Sequence, residues 1–197
     1  AMDDRGIMQI YVSGCSGDVT AGKYNDGSPD NRGVLADRLY QAMTAAWKVT
    51  SRVPLRQVGF RNTSFDLAFN DDQRFSRATL TATLEDADKD VRDRILAAMG
   101  LASLDRIAAG RQIDMPCVEL GPARIVLFPG ETFVGYQLMA QQLQPDNFVM
   151  SIGFGECWPG YIPTRRAFEE NFGHSWRWVA PGSDRQLESA LRTLLAQ

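Results

Sequence analysis

The sequence predicts an α/β fold, a mixed β-sheet with helices packed on its faces, in a single domain. Short apolar runs typical of buried strands recur along the chain, and glycine-containing turns follow them. Stretches with apolar residues at helical spacing come after those turns. The chain has 197 residues and is 44% hydrophobic, which is enough to bury the core of one compact domain.

The beginning of the chain predicts a strand that leads into a glycine-rich loop. Residues 1–6 have the character of an expression remnant or a cut linker. The run "IMQIYV" at 7–12 is short and rich in β-forming residues, so we expect a buried strand there. The loop "GCSGDVTAGKYNDG" follows at 14–27. We assign the domain to 7–197, and because it opens directly in strand-like sequence we expect a fragment of a longer protein.

The next elements are an amphipathic helix and a half-buried strand. In "VPLRQVGFRNTSFDLAF", Phe65, Leu67 and Phe69 alternate with polar residues, which predicts a strand with one solvent-facing side. Before it, the stretch from Val34 to Trp47 predicts a helix packed on another part of the protein, because four apolar residues recur at helical spacing: Leu35, Leu39, Met43 and Ala46.

Residues 71–110 are charged and rich in alanine. They show two helical patterns, with interruptions near 86–90 and at Gly100. We expect these helices to form a peripheral layer.

The strands that follow predict the centre of the sheet. The runs "IDMPCVEL" and "ARIVLF" flank a "GP" turn, and the second is apolar on both faces. We therefore expect Val126 and Phe128 to be buried on one face of the sheet, and Ile125 and Leu127 on the other. A helix follows with Glu131 in its first turn, then a strand at 148–154, a long loop containing a short helix, and a last helix at 184–195.

Composition excludes several classes of function. The net charge of −3 and the lack of any run rich in lysine or arginine argue against a nucleic-acid partner. No apolar stretch approaches the roughly 20 residues that a membrane-spanning helix needs, so we expect no transmembrane segment. Cys15, Cys117 and Cys157 lack metal-binding spacing and are expected to be small buried hydrophobes, although one disulfide pair remains open.

Three strand-to-loop junctions are candidate sites, because ligands of α/β sheets gather outside the strand ends. The first holds Asp18 and Thr20 among glycines, where a hydroxyl could act as a nucleophile or both side chains could simply stabilise turns. In the second, Glu131 could cap a helix or bind a metal ion. In the third, aromatic residues near Glu156 could line a pocket or only pack the loop.

Three motifs in this order resemble the neutral/alkaline ceramidase family, most closely its mainly bacterial members: "GDVT", "FPGETFVGYQL" and "GYIPTRRAFEE". The resemblance covers nearly the whole chain but corresponds only to the later part of the family's catalytic domain. It implies a hydrolase of sphingolipid metabolism in which a zinc ion activates water to attack the amide of an N-acyl sphingoid base.

The resemblance also implies roles for individual residues. Glu131 of "PGE" and Tyr161 of "GYIPT" match two of the family's zinc ligands, and Thr20 stands where the family has an active-site serine. We take Thr20 and Asp18 as the candidate catalytic residues. The family's zinc-binding histidines lie in an earlier segment, and the only histidine here, His174, matches no metal ligand. A later family tyrosine has no counterpart in "NFGHS".

These observations lead to one main hypothesis and two alternatives. The chain is the C-terminal portion of a ceramidase-like amidohydrolase for a lipid-like amide, incomplete without an upstream histidine-bearing segment and inactive alone. Zn2+ would then be bound weakly or not at all by this chain. The alternatives are a non-catalytic binding or structural domain and, less favoured, a threonine-based hydrolase with His174 as base. A secreted or periplasmic location remains open.

The main hypothesis makes a geometric prediction. Thr20, Glu131 and Tyr161 should converge at one edge of the sheet, with the strands that precede them parallel to one another. Asp18 should turn into the amides of its own loop.

Overall fold

The computed structural model describes residues 6, 8, 10–20, 22–173 and 177–196. Most of the N-terminal stretch at 1–6 and the sole histidine, His174, lie outside the described residues. The chain divides into two compact units, a larger one of Ala1–Asp18 and Gln57–Gln197 and a smaller one of Val19–Arg56.

A mixed four-stranded sheet forms the framework of the larger unit. In the order β1-β2-β3-β5, the first two pairs are antiparallel and the pair β3–β5 is parallel, which confirms the predicted mixed sheet and the central position of β3. Two further short strands, β4 and β6, form a separate parallel pair. The strands are β1 (Val58–Phe65), β2 (Ile113–Leu120), β3 (Ala123–Leu127), β4 (Glu131–Thr132), β5 (Phe148–Ile152) and β6 (Tyr161–Ile162).

Helices complete the α/β fold predicted from the sequence. In the described part of the chain, no helix is both long enough and apolar enough to cross a membrane. The helices are α1 (Asn31–Lys48) in the smaller unit and, in the larger, α2 (Arg77–Glu85), α3 (Val91–Ala108), α4 (Val134–Leu143), α5 (Arg165–Glu169) and α6 (Ser183–Leu195).

One face of the sheet carries the hydrophobic core. Helix α6 packs on β1 and β2, while α4 packs on β5 and on α6. Because fully burying a leucine or isoleucine contributes about 1.5–3 kcal/mol, this layer is the main source of stability. The buried side chains of the sheet face are Phe65, Ile113, Met115, Cys117, Val126 and Val149, and those of α6 are Leu187, Leu191, Leu194 and Leu195.

The opposite face of the sheet is less deeply buried. Ile125 and Leu127 on this face are only half-buried, whereas Val126 and Phe128 are fully buried. The prediction that β3 is buried on both faces is therefore correct for one face and wrong for the other. The reason is that α4 and α6 both pack on the same side.

Helices α2 and α3 pack against each other, and the break between them falls where the sequence predicted it. Asp90 begins α3 by accepting a hydrogen bond from the Arg92 amide at 2.7 Å. The expected interruption at Gly100 is wrong, because α3 runs through it. A Cβ atom at Gly100 would lie 2.8 Å from Leu80 and 2.9 Å from the Trp178 ring, so this glycine allows close packing rather than a helix break.

Two predictions near the N-terminus need correction. Residues 10–12 form no strand, with Ile10 and Tyr11 exposed, and Met8 makes only an isolated bridge, so the strand expected at 7–12 is not formed by its described residues. Helix α1 forms as expected, but none of its described side chains is buried. Leu39 and Met43 of the predicted packing stripe are exposed to solvent.

The three cysteines are free thiols in this structure. Cys15 and Cys117 are buried, as expected for small hydrophobes, but Cys157 is exposed.

Candidate functional site

Two loops meet at the carboxyl ends of the parallel strands β3 and β5. The Gly130 amide donates to the Glu156 carbonyl at 2.9 Å, and the Glu131 amide donates to the Gly160 carbonyl at 2.8 Å. Gly130 has a φ of 52°, and a Cβ atom there would collide with the Gly160 carbonyl oxygen. Glycine is therefore required for these two backbones to approach each other.

This close approach places Glu131 beside Tyr161. The two residues are direct partners in the parallel pair β4–β6. Burial raises the pKa of Tyr161, and a hydrogen bond from its hydroxyl to the Glu131 carboxylate raises it further. Glu131 itself lies in a strand, three residues before α4 begins, and not in the first turn of that helix as predicted.

Aromatic side chains support Tyr161 from one side. The ring of Phe172 packs edge-on against Tyr161, with centroids 5.8 Å apart, and against Phe133 at 5.0 Å. Behind them, the buried Tyr136 of α4 donates its hydroxyl hydrogen to the Pro163 carbonyl at 2.8 Å. The "GETFVGY" and "GYIPT" segments are thus fixed to one another by side chains as well as by backbone.

The glycine-rich loop reaches the same place from the N-terminal side. Gly153, directly after β5, donates its amide hydrogen to the Ser13 carbonyl at 2.8 Å, and Gly17 donates to the Thr132 carbonyl at 3.1 Å. A Cβ atom on Gly17 would collide with the Glu131 carbonyl oxygen. The loop therefore lies directly against the strand that carries Glu131.

Asp18 has a different hydrogen-bond partner from the one predicted, while its catalytic role stays a prediction. Its Oδ1 accepts a hydrogen bond at 2.7 Å from the amide of Val134, the first residue of α4, and so does not turn into its own loop. Phe133, at the N-cap position of α4, has no side chain that could do this. Asp18 thus caps a helix 116 residues away along the chain, where a carboxylate also interacts well with the helix dipole.

The same carboxylate affects the neighbouring thiol. Burial, and secondarily the negative charge of Asp18, raise the pKa of Cys15 to about 12. This thiol is therefore protonated at neutral pH and is not a nucleophile.

Thr20 is an exposed residue of the smaller unit, which begins at Val19. Of the three residues expected to converge, the structure brings together Glu131 and Tyr161. The convergence of Thr20 with this pair stays a prediction, as does its catalytic role.

A cavity of about 420 Å³ opens beside the pair, and it shares the rings of Phe133 and Phe172 with the wall around Tyr161. Glu131 and Tyr161 do not line it. Apolar and charged side chains both line it. The lining residues are Asp18, Phe133, Thr164, Arg166, Ala167, Glu170 and Phe172.

The residues of the third predicted strand-to-loop junction, around Glu156, lie in two different places. Trp158 lines another cavity, of about 620 Å³, on the side of α3. Glu156 forms an ion pair with Arg106 of α3 and also accepts a hydrogen bond from the Asp114 amide at 3.2 Å. Glu156 therefore anchors its loop to the rest of the fold.

The donor atoms near Glu131 fit only part of a zinc site. In the described ranges, no three histidine, cysteine or acidic side chains stand close enough together to hold a metal ion. Glu131 and Tyr161 offer two adjacent oxygen donors, whereas a catalytic zinc ion takes three protein ligands and keeps one open position. A complete ligand set therefore needs donors from elsewhere.

One feature of the site was missed by the sequence interpretation. Phe154, just beyond β5, has a φ of 61°, and its amide donates to the Gly130 carbonyl at 3.0 Å. A bulky residue in the left-handed region costs about 1–3 kcal/mol, and such strain is concentrated at functional sites. The only sequence signal was the pair of glycines on either side of it, Gly153 and Gly155.

Comparison with known proteins finds solved structures with a similar fold. No family model and no curated protein matches the sequence. Among solved structures, the neutral ceramidase from Pseudomonas aeruginosa matches 98% of this chain with a TM-score of 0.59 and 11% sequence identity. A structure of a ceramidase complexed with C2 matches 71% of the chain with a TM-score of 0.43 and 10% identity.

The resemblance to neutral ceramidases is therefore confirmed at the level of the fold. The chain spans 37% of the length of the Pseudomonas aeruginosa structure, so it corresponds to a part of a ceramidase-like fold.

Proposed function

We propose that this chain is the C-terminal portion of a ceramidase-like amidohydrolase that acts on an N-acyl, lipid-like amide. It is incomplete without an upstream segment that supplies histidines. The observation that carries the proposal is the placement of Glu131 beside Tyr161 at the ends of the parallel strands. The ceramidase-like fold of nearly the whole chain supports it.

In the complete enzyme, Glu131 and Tyr161 would provide two oxygen ligands to a zinc ion. When bound, zinc acts as a Lewis acid toward a carbonyl oxygen and lowers the pKa of a water ligand. The histidines that complete the ligand set would come from the upstream segment.

The other side chains of this chain would keep the pair in position. At neutral pH the raised pKa of Tyr161 keeps its hydroxyl protonated, so it donates a hydrogen bond that orients the Glu131 carboxylate. The edge-on ring of Phe172 restricts the Tyr161 ring and excludes water from one side. Asp18 fixes the glycine-rich loop to the start of α4, next to the strand of Glu131.

The cavity beside the pair suits an amphipathic substrate. The rings of Phe133 and Phe172 would contact an apolar chain, while the charged side chains of Arg166 and Glu170 would contact polar groups. These contacts favour a lipid-like amide over a small polar one.

Hydrolysis of a fluorescent N-acyl sphingosine tests the proposal. We expect no activity from residues 1–197 alone and measurable activity from the full gene product. In that product, Glu131→Gln should abolish turnover because it removes a metal-binding carboxylate. Glu169→Gln is the matched control, since Glu169 is an exposed glutamate at the end of α5. Full activity of the Glu131→Gln enzyme would contradict the proposal.

The alternative function is a non-catalytic lipid-binding domain. It is favoured by the finding that the described residues supply only two adjacent donors and no three-ligand cluster. A full gene product that binds the N-acyl lipid without hydrolysing it, with or without added zinc, would support this alternative.

A further inference from the structure

The cavity of about 620 Å³ is lined by helix α3 and by the loop that follows β5, and we call it the α3 cavity. Its volume lies within the range of roughly 300–1,000 Å³ that is typical of small-molecule sites. It shares no lining residue with the cavity beside Glu131 and Tyr161. The α3 cavity is therefore a separate place in which a ligand could be held.

One part of its lining is apolar. Trp178 is almost fully buried, Trp158 is partly buried, and Met99 is 43% exposed. Indole rings and thioethers offer a large apolar contact area to a ligand. The apolar part of the lining therefore suits the hydrocarbon portion of a molecule. It consists of Met99, Ala102, Ala109, Trp158 and Trp178.

Two charged side chains of the lining are already paired with oppositely charged neighbours. Arg106 forms an ion pair with Glu156 and donates a hydrogen bond to the Gln112 carbonyl at 2.8 Å. Asp105 forms an ion pair with Arg77 at 2.6 Å. Because each pair combines one positive and one negative group, neither gives the α3 cavity a net charge.

Three donor groups of the lining have no partner among the described residues. Arg111 is exposed and makes no ion pair or side-chain hydrogen bond in that part of the chain. Nε of Arg106 and Nε1 of Trp158 are buried and make no hydrogen bond either. Guanidinium and indole nitrogen atoms only donate. Since a buried donor without a partner is destabilising, an acceptor supplied by a ligand would be bound favourably here.

These donors select the chemistry of the ligand. The positive charge of Arg111 disfavours a cation, and a pure hydrocarbon would leave all three donors unpaired. A carboxylate accepts several hydrogen bonds, matches the planar guanidinium group and compensates one positive charge. One unpaired cation fits this single charge better than the larger charge of a phosphate monoester.

We propose that the α3 cavity binds an amphipathic monocarboxylate. Its apolar body lies against the rings of Trp158 and Trp178, and its carboxylate faces Arg111 and the unpartnered N–H groups of Arg106 and Trp158. Because those two nitrogen atoms are buried, a small rotation of their side chains accompanies binding. The inference does not rest on the proposed function, since the α3 cavity is separate from Glu131 and Tyr161.

Protection of a thiol tests the inference on the full gene product. Cys157 lines the α3 cavity and is exposed, whereas Cys15 and Cys117 are buried. Sodium decanoate should slow the alkylation of Cys157 by iodoacetamide at least fivefold, as measured by mass spectrometry of the labelled peptide. Decyltrimethylammonium has the same chain and the opposite charge, so it should not protect Cys157 when both probes are used below their micelle concentrations. Equal protection by the two probes, or none by decanoate, would overturn the inference.

A charge substitution tests the role of Arg111. Arg111→Gln should raise the decanoate concentration needed for half-protection of Cys157 at least tenfold, because it removes the unpaired positive charge. Since Arg111 is exposed, the unfolding midpoint should not change. Arg92→Gln is the matched control, because Arg92 is an exposed arginine at the beginning of α3 that does not line the α3 cavity. The same half-protection concentration in Arg111→Gln as in the unsubstituted protein would contradict the proposed recognition of the carboxylate.

The indole N–H signal of Trp158 provides a second measurement. In the full gene product labelled with 15N-tryptophan, this NMR signal is assigned by its loss in Trp158→Phe. Decanoate should move it downfield as the indole forms a hydrogen bond, while the signal of Trp47 in the smaller unit should stay in place. A Trp158 signal that stays in place at saturating decanoate would overturn the inference. Neither measurement depends on amide hydrolysis, so this inference and the proposed function can fail independently.

Discussion

At the scale of single residues, Asp18 has a structural contact that the sequence did not predict. The glycine-rich loop made it a candidate catalytic group, which stays a prediction, and its carboxylate caps α4. A cap of this kind contributes about 0.5–2 kcal/mol, and asparagine at such a position is as good as aspartate. Asp18→Ala should therefore lower the free energy of unfolding by about 1 kcal/mol in urea denaturation, while Asp18→Asn should lower it only slightly.

The chain supplies a control for this measurement. Asp30 stands at the N-cap position of α1 but makes no side-chain hydrogen bond to the helix. Asp30→Ala should leave the free energy of unfolding nearly unchanged. If Asp18→Asn destabilised the protein as much as Asp18→Ala, the negative charge rather than the capping hydrogen bond would be responsible.

Tyr161 offers a pH-dependent test of its contact with Glu131. Its folded pKa is raised, first by burial and then by the Glu131 carboxylate. A raised folded pKa means that this group's contribution to stability is complete below the ordinary value of about 10 and is lost as the pH rises through the folded value. Glu131→Gln should lower the pKa of Tyr161 without fully restoring it, because burial remains. NMR titration of 13C-labelled tyrosine measures this, and an unchanged Tyr161 pKa would show that the hydrogen bond is absent.

At the scale of secondary structure, the sequence predicted where helices and strands form better than it predicted what packs against them. Periodicity placed α1, β2, β3 and α6 almost where they form, because it reports which face of an element is apolar. It could not report whether that face is covered, so β3 was expected to be buried on both sides. The short pair β4–β6 carried no periodic signal, since two-residue strands are defined by long-range pairing.

The candidate site was predictable only in part for the same reason. Glu131 and Tyr161 were identified from motifs resembling a known family, and the structure places them side by side. The cap from Asp18 to Val134 joins residues 116 positions apart and has no local signature. The strained Phe154 was likewise hidden, because its backbone conformation is imposed by the contact with Gly130.

Charge substitutions in β3 measure the difference between its two faces. Val126 is fully buried on the core face, so Val126→Asp should place an unpaired charge in the core and prevent folding. Leu127, half-buried on the opposite side, should tolerate aspartate with a smaller loss of stability in residues 1–197. Circular dichroism during thermal unfolding distinguishes the two variants. Equal loss of folding in both would show that the second face is buried after all.

At the scale of the whole molecule, this chain contains the core of a folded unit but only part of a candidate metal site. The chain has a core, a covered sheet face and its own caps, which a folded unit requires. Its candidate metal site has only two adjacent donors in the described residues. Under the proposed function, the missing donors come from an additional segment of the polypeptide.

Metal content tests this view of the molecule. Two oxygen donors leave most of the coordination of a zinc ion to water, so residues 1–197 should lose zinc on dialysis. Elemental analysis should then find well under one equivalent in the isolated chain, and about one equivalent in the full gene product, where histidines from the upstream segment complete the set. Glu131→Gln with Tyr161→Phe should remove that zinc from the full product, while Glu169→Gln should not. Tightly bound, stoichiometric zinc in the isolated chain that survives the double substitution would show that the metal is held elsewhere and that the pair is not its site.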